Sequence, residues 1–347
     1  INYFLFMQET LISSPHLHED TSVGGVMRCV IIALVPGILL STWIYGWGVL
    51  IHCLLAVLCA LGFEAAMLRL RRRQPGPFLR DGSAVVTALL FALAITPFAP
   101  WWVDIAGMGF AIIVTKHLYG GLGYNLFNPA MAGYVFVLLC FPTAMTVWPS
   151  LADAGHAQAG LGDTLSIIFT DQPLTGPVDS LSGATPLDYM KSRLNGMAMV
   201  PEIVQSPLFG TFAGKGSEWL VLAWAGGGIW LLYKNIIKWQ MPAVFLGTLF
   251  LFSLLCYWFD ASRYPSPFFT LFAGGAMLAA FFIITDPVTA SNTPRGCILY
   301  AAGIGIITVL IRNWGGYPEG VAFAVLIMNA AAPFIDERTR PRVFGET

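Results

Sequence analysis

Long apolar runs separated by short polar segments cover most of the chain. A bilayer core of about 30 Å needs about 20 apolar residues in one helix, and a scan at that length finds ten candidate spans. They lie at about residues 26–45, 47–68, 83–99, 101–118, 128–148, 218–233, 239–259, 267–285, 296–312 and 318–335. The runs are continuous, whereas the strands of a membrane barrel would alternate polar and apolar positions. The pattern predicts an all-α integral membrane protein with about ten transmembrane helices.

The composition agrees with this class. Of the 347 residues, 56% are hydrophobic and only 11% are charged, against roughly 25% charged in soluble domains. A soluble enzyme, a disordered chain and a nucleic-acid binder are therefore excluded. The six cysteines lie inside apolar stretches without CxxC spacing, and the five histidines are scattered along the chain. We therefore expect no metal site or iron–sulfur cluster.

The basic residues predict the orientation. With the N-terminus in the cytoplasm, thirteen of the 18 Lys and Arg residues fall on the cytoplasmic side, as the positive-inside rule requires. The exceptions are Lys191, Arg193, Lys215, Arg263 and Arg312. We therefore predict five regions. They are a cytoplasmic segment 1–25, a five-helix half 26–148, an external loop 149–217 between helices 5 and 6, a second five-helix half 218–335 and a cytoplasmic tail 336–347.

The N-terminal segment Ile1–Met7 is apolar but too short for a signal peptide, and polar residues follow it. We expect Met7 to be the true start.

Two stretches of the chain resemble each other. The first contains Ile95-Thr96-Pro97, Lys116–Gly121 and Ala130–Val137, and the second contains Ile284–Pro287, Arg312–Tyr317 and Gly320–Leu326. In the predicted topology they lie on opposite sides of the membrane, so the halves would be inverted repeats. Such repeats place a site near the midplane between broken helices, and Pro129 and Pro287 are candidate interrupters. Chance similarity of apolar segments is the alternative.

The external loop contains the sequence Asp179-Ser-Leu-Ser182-Gly183-Ala184-Thr185-Pro186. Pro186 biases Thr185 towards an extended conformation, while Gly183 and Ala184 leave the hydroxyl accessible. Asp179 can bind a cation that accompanies a phosphate. The pattern suits Thr185 as the acceptor of a phosphoryl-linked group, although on spacing alone an ordinary solvated Ser/Thr turn is the default explanation.

The string Asp179-x-x-Ser182-Gly183-Ala184-Thr185 matches the flavinylation motif of the Rnf and Na⁺-translocating NADH:quinone oxidoreductase families. From about Ser13 to its end, the chain resembles the RnfD/NqrB family, and within it the RnfD component of the Rnf complex. The supporting stretches are Leu118–Ala132, Ile284–Ser291, Gly315–Val325 and Thr339–Gly345.

This resemblance implies that Thr185 carries FMN through a phosphoester made by a flavin transferase. It implies a subunit of a ferredoxin:NAD oxidoreductase in the bacterial inner membrane that passes electrons and couples them to Na⁺ or H⁺ translocation. Such a subunit is not catalytic alone. Its expected partners are membrane lipid and the A, B, C, E and G subunits, the G subunit carrying covalent FMN on the outer side.

The resemblance further implies a second flavin, riboflavin-like, deeper in the bundle. The polar residues of the repeated elements are candidates for that site, although they can equally serve as helix caps. They are Asn125, Asn128, Asp286, Thr289 and Arg295.

Two other functions fit the same pattern. Ten helices in inverted halves also describe a permease, and a scaffold without a cofactor is the third possibility.

Three carboxylates lie within or at the ends of spans, namely Glu64, Asp104 and Glu319. Intramembrane carboxylates can line an ion path, but we expect these three near the interfaces, where water reaches them. No glycine-rich dinucleotide loop follows a strand, so NADH would be oxidised elsewhere in the complex.

Overall fold

The computed structural model describes residues 22–150, 159–174 and 176–340. Met7 and the end of the tail lie outside these ranges. The described chain is mostly helical, and its sixteen α-helices are numbered in chain order. They are α1 Val23–Tyr45, α2 Gly48–Leu70, α3 Pro75–Leu79, α4 Ser83–Ala92, α5 Trp101–Gly109, α6 Pro129–Cys140, α7 Pro142–Thr146, α8 Leu161–Thr170, α9 Pro186–Asn195, α10 Val200–Ile203, α11 Ser217–Tyr233, α12 Gln240–Phe259, α13 Pro267–Phe272, α14 Ala276–Leu278, α15 Pro294–Trp314 and α16 Val321–Thr339.

Four helices are long and apolar enough to cross a membrane, namely α1, α2, α12 and α15. The other predicted spans also contain helix, but several of the helices are short or interrupted. Helix α5 continues as a π-helical segment, π1, over Phe110–His117, and α14 continues as π2 over Ala279–Ile283. The total of ten spans and the inverted repeat stay predictions.

Three predicted spans are not continuous helices. In span 83–99, α4 stops at Ala92, since Pro97 and Pro100 follow and proline cannot continue the backbone hydrogen bonding of a helix. In span 128–148, the helix ends at Cys140 and a new one begins at Pro142. In span 267–285, Gly274 with φ of 67° separates α13 from α14.

The prediction that Pro129 interrupts a helix is wrong. Pro129 is the first residue of α6, where its missing N–H costs no hydrogen bond, and the Asn128 side chain caps the helix by accepting from the N–H of Met131. Pro287 lies in the non-helical stretch between π2 and α15.

Small residues bring the two halves together. A methyl group on Gly227 of α11 would lie 2.3 Å from the carbonyl oxygen of Ala33 in α1, and one on Gly37 would lie 2.0 Å from the Trp224 ring. Helices in membranes approach closely where they carry small residues. The α1–α11 contact therefore depends on glycine at these positions.

The described part of the segment 149–217 folds onto the bundle. It contains α8, α9 and α10, and a two-stranded antiparallel sheet pairs β1 (Trp148–Pro149) with β2 (Ser182–Gly183). Met190, Ile203 and Phe209 pack with Phe269 of α13 in a separate apolar cluster. The segment Asp179–Thr185 is thus held against the ends of the helices.

Candidate functional site

Thr185 occupies the N-cap position of α9. Its backbone is extended, with φ of −66° and ψ of 154°, as the following proline predicts. Its Oγ1 accepts a hydrogen bond of 3.2 Å from the backbone N–H of Asp188. The half-buried hydroxyl therefore lies at the positive end of a ten-residue helix.

The rest of the motif fixes this position. Ser182 and Gly183 pair with Pro149 and Trp148, and a methyl group on Gly183 would lie 3.2 Å from Ser150 Cβ. Ala184 is exposed, so the approach to Thr185 is open on that side. Asp179 is also exposed, in the short 3₁₀ turn Val178–Ser180 that precedes β2.

Thr185 lines a cavity of about 280 Å³ between the two halves, here called the Thr185 cavity. Both halves contribute to its lining, which is mostly apolar. The aromatic members are Tyr45, Tyr134, Trp148, Trp224 and Tyr317. The break after α4 and the loop before α16 also face it, through Pro97 and Pro318. Non-helical backbone at the ends of broken helices is where bundles of this kind form ligand sites.

An ion pair neutralises the acid beside this cavity. Glu319 lines the cavity, and Arg312 Nη2 lies 2.8 Å from its Oε2. Arg312 also donates to the carbonyl oxygens of Thr270 and Ala273, and Glu319 accepts from the N–H of Gly275. The pair joins α13, α15 and the start of α16.

Asp188, three residues after Thr185, also lines the Thr185 cavity. Partial burial raises the pKa of its carboxyl above the usual value. On the next turn of α9, partial burial lowers the pKa of Lys191. The Lys191 ammonium donates to the carbonyl oxygens of Ile311 and Arg312, at 3.1 and 2.8 Å, and so fastens α9 to α15.

A smaller cavity of about 90 Å³, the Asn128 cavity, lies at the opposite end of the bundle. Asn125, Asn128 and Asp286 line it, and Thr289 Oγ1 donates to Asp286 Oδ2 at 2.9 Å. Four of the five candidates for a second flavin site therefore come together. The capping interpretation also holds for Asn128, because its side chain caps α6.

The structure does not bring the fifth candidate, Arg295, to this cavity. Arg295 lies in the first turn of α15 with an exposed side chain and does not line the Asn128 cavity. The helix begins at Pro294 after a Thr293 cap, so Arg295 is its second residue.

Sequence reasoning missed Asn329, which is fully buried in α16. Its Oδ1 accepts from the backbone N–H of Asn128, and its Nδ2 donates to Thr289 O and to the Tyr300 hydroxyl. It therefore holds together both sides of the Asn128 cavity. An asparagine within an apolar span was the signal for it, since polar groups inside a membrane are expensive.

The expectation that Glu64 and Asp104 lie near water is also wrong. Glu64 is 2% and Asp104 0% exposed, because neighbouring helices cover the faces on which they lie. Lys116 Nζ donates to both oxygens of Glu64, at 2.9 and 2.8 Å, and His52 Nδ1 lies 2.7 Å from Asp104 Oδ2. Two of the histidines therefore have acidic partners, since His117 also lies 3.4 Å from Glu64.

Comparison with known proteins decides the family. A family model described as "NQR2, RnfD, RnfE family" matches residues 10–345. The chain belongs to this family. It is 45% identical over 344 residues to the D subunit of the ion-translocating oxidoreductase complex of Escherichia fergusonii, covering 96% of this chain and 98% of that protein.

Two further relatives carry the same name. The Vibrio vulnificus (strain YJ016) protein is 45% identical over 350 residues, and the match covers 96% of this chain and 99% of that protein. The Salmonella newport (strain SL254) protein is 46% identical over 344 residues, and the match covers 96% of this chain and 98% of that protein. The family indicated by the motif and the supporting stretches is thereby confirmed, and the four long apolar helices agree with a membrane protein.

Proposed function

We propose that this chain is the flavin-carrying membrane subunit of an ion-translocating ferredoxin:NAD oxidoreductase complex, with FMN joined through its phosphate to Thr185 Oγ1. The observation that carries the proposal is that this hydroxyl lies on an accessible turn and lines a cavity between the two halves. The chain would act within the complex and not alone.

The surroundings of Thr185 suit a phosphoester. A phosphate on Oγ1 would lie at the N-terminus of α9, where backbone N–H groups and the helix dipole favour negative charge. The N–H of Asp188, which already donates to Oγ1, is one of these groups. The exposed Ala184 leaves room for the flavin transferase to reach the hydroxyl.

The Thr185 cavity suits the ring system of the same cofactor. Tyr45, Tyr134, Trp224 and Tyr317 offer aromatic faces and edges, and the apolar lining excludes water. When bound, a flavin supplies reversible electron transfer, while the protein sets its position and potential. The paired Glu319 brings no net negative charge to this lining, which favours an electron carrier there.

The Asn128 cavity supports a second, riboflavin-like flavin. The amides of Asn125 and Asn128, together with Asp286, offer hydrogen-bond donors and acceptors for the polar edge of a ring, and Asn125 Oδ1 has no partner among the described residues. The two cavities share α6, since Met131 lines the first and Ala130 the second. Electrons would then cross the membrane within this chain.

In the proposed orientation the Thr185 end of the bundle faces outwards and the termini face the cytoplasm of a bacterium with this complex in its inner membrane. Trp43, Trp47, Trp219, Trp258 and Trp314 are exposed at that end, as expected of an interfacial belt. The G subunit would deliver or receive electrons there. Electron transfer would be coupled to Na⁺ or H⁺ movement through the complex with the A, B, C and E subunits.

The test is the fluorescence of the denatured chain on a gel after co-expression with a flavin transferase. We expect a yellow fluorescent band that Thr185→Ala abolishes, and a mass shift of one FMN phosphoester on the peptide that spans residues 181–191. The matched control is Ser180→Ala, an exposed hydroxyl outside the motif positions, which should keep the fluorescence. A bare peptide in the native complex, despite an active transferase, would overturn the proposal in favour of a permease or a scaffold.

A further inference from the structure

A histidine and an aspartate are enclosed together between α2 and α5, at the Thr185 end of the bundle. The His52 and Asp104 side chains are both 0% exposed, with Nδ1 and Oδ2 2.7 Å apart. Ionisable groups inside a membrane are costly and are usually functional. The function proposed above does not use this pair.

A second acid–base cluster lies further along the same helices. There, Lys116 donates to both oxygens of Glu64 and to Ser83. In the first pair, His52 Nε2 and Asp104 Oδ1 have no hydrogen-bond partner among the described residues, and in the second cluster the same is true of both ring nitrogens of His117. Buried polar atoms without a partner are rare and destabilising, so this pair calls for a role beyond joining two helices.

The geometry defines which atom is free to react. A neutral imidazole that donates its Nδ1 proton to a carboxylate has its lone pair on Nε2. The short contact with Asp104 Oδ2 favours this tautomer of His52 and also favours the imidazolium that forms when Nε2 gains a proton. His52 Nε2 is therefore a base held by a carboxylate, in the manner of the histidine of a hydrolase triad.

The pair lies directly behind the Thr185 cavity. Val49 lines that cavity, and His52 follows three residues later, on the same face of α2 and about 4.5 Å deeper along the axis. Gly48 packs against Pro97, which lines the cavity as well. A charge in the cavity therefore acts on the pair through a thin, water-poor layer in which electrostatic interactions are strong.

We propose that the His52–Asp104 pair binds one proton, at His52 Nε2, when an electron is added in the Thr185 cavity, and releases it when the electron leaves. This inference rests on the proposed function. The electron comes from the neighbouring carrier and the proton from water on the Thr185 side. The pair passes from imidazole–carboxylate, with one net negative charge, to imidazolium–carboxylate, which is neutral. The negative charge of the added electron favours this change because it repels the unprotonated pair.

Few other titratable groups face the pair. The thiols of Cys53 and Cys59 interact with Asp104 from α2 itself. The next charged groups on α2 and π1 are Glu64, Lys116 and His117, twelve or thirteen residues further along. Helix α4 carries none, and the remaining neighbouring helices offer Arg28, Cys29 and Tyr45 on α1, Tyr134 and Cys140 on α6 and Asp163 on α8.

The experiment is a redox titration of the purified complex between about pH 5 and pH 8, the range in which histidine changes charge. The measured quantity is the midpoint potential of the transition that Thr185→Ala removes. In His52→Gln and Asp104→Asn we expect a flatter dependence on pH than in the wild type. The largest expected change in this slope is about 59 mV per pH unit, which corresponds to one proton bound per electron. For a one-electron couple, about 59 mV is a tenfold change in the equilibrium constant.

Leu54→Ala is the matched control, because this side chain lies in the same turn of α2 but is 62% exposed on its outer face, and it should keep the wild-type slope. An unchanged slope in His52→Gln would overturn the inference; should Asp104→Asn fail to accumulate, His52→Gln alone decides. Gel fluorescence of each denatured chain separates the two proposals. A flavin present with an unchanged slope refutes only the proton site, whereas a wild-type chain without flavin refutes the proposed function.

Discussion

Asn329 Oδ1 in the last helix accepts a hydrogen bond of 2.9 Å from the backbone N–H of Asn128, the residue that caps α6. One side chain thus ties α16 in the second half to the start of α6 in the first. The same amide holds the stretch before α15 through the carbonyl oxygen of Thr289. The shape of the Asn128 cavity therefore depends on a contact between the halves that no local pattern could specify.

Substitution of Asn329 by leucine should destabilise the protein. It leaves the Asn128 N–H and the Thr289 carbonyl without this partner in a buried place, and a single unsatisfied group there costs about 1–3 kcal/mol. Thermal unfolding of the purified chain in detergent measures the change. The control is Asn195→Ala, an exposed asparagine in α9, and equal unfolding temperatures for both variants would contradict the assigned role of Asn329.

Two adjacent glycines of α11 should respond oppositely to alanine. At Gly227 the new methyl group would meet the carbonyl oxygen of Ala33, whereas at Gly226 nothing lies within 4 Å. Gly227→Ala should therefore push α1 from α11 and cost about 1–3 kcal/mol, as overpacking does. Gly226→Ala should be neutral or stabilising by up to about 1 kcal/mol, because alanine favours the helix. Unfolding midpoints in detergent test the pair, and equal effects would refute the close contact.

Asp188→Asn should stabilise the folded protein at neutral pH but not in acid. Partial burial raises the pKa of Asp188 above that of the unfolded chain. The folded protein therefore tolerates the neutral carboxyl better than the charged one. The stabilisation by the neutral carboxyl is complete below the pKa of the unfolded chain and is lost as the pH rises through the pKa of the folded protein. The asparagine variant should unfold at a higher temperature than the wild type near pH 7, with the difference vanishing below the ordinary aspartate pKa of about 3.9.

The exposed Asp179 in the same segment provides the control for this pH dependence. Asp179→Asn removes a carboxyl without removing a buried charge, so its unfolding temperature should follow that of the wild type. A stabilisation by Asp188→Asn that persists unchanged in acid would mean that burial of the charge is not its cause.

Local sequence determined the helical, membrane-spanning character of the chain and the conformation of Thr185. Both follow from neighbouring residues: long apolar runs favour helices in lipid, and the proline after Thr185 favours the extended backbone found there. The helix breaks near Pro97 and Pro142 also follow from neighbouring residues, although the hydropathy pattern alone predicted continuous spans at these positions.

Tertiary structure alone decided which polar side chains meet. His52 and Asp104 are 52 residues apart in the chain, and Lys116 and Glu64 are separated by the same distance. Asn128 and Asn329 are 201 residues apart. Periodicity reports only which face of its own helix a residue occupies, whereas these contacts depend on which helices are neighbours and how deeply each lies. For that reason Glu64 and Asp104 were expected near water but are buried, and Arg295, close to Asp286 and Thr289 in sequence, does not line the Asn128 cavity.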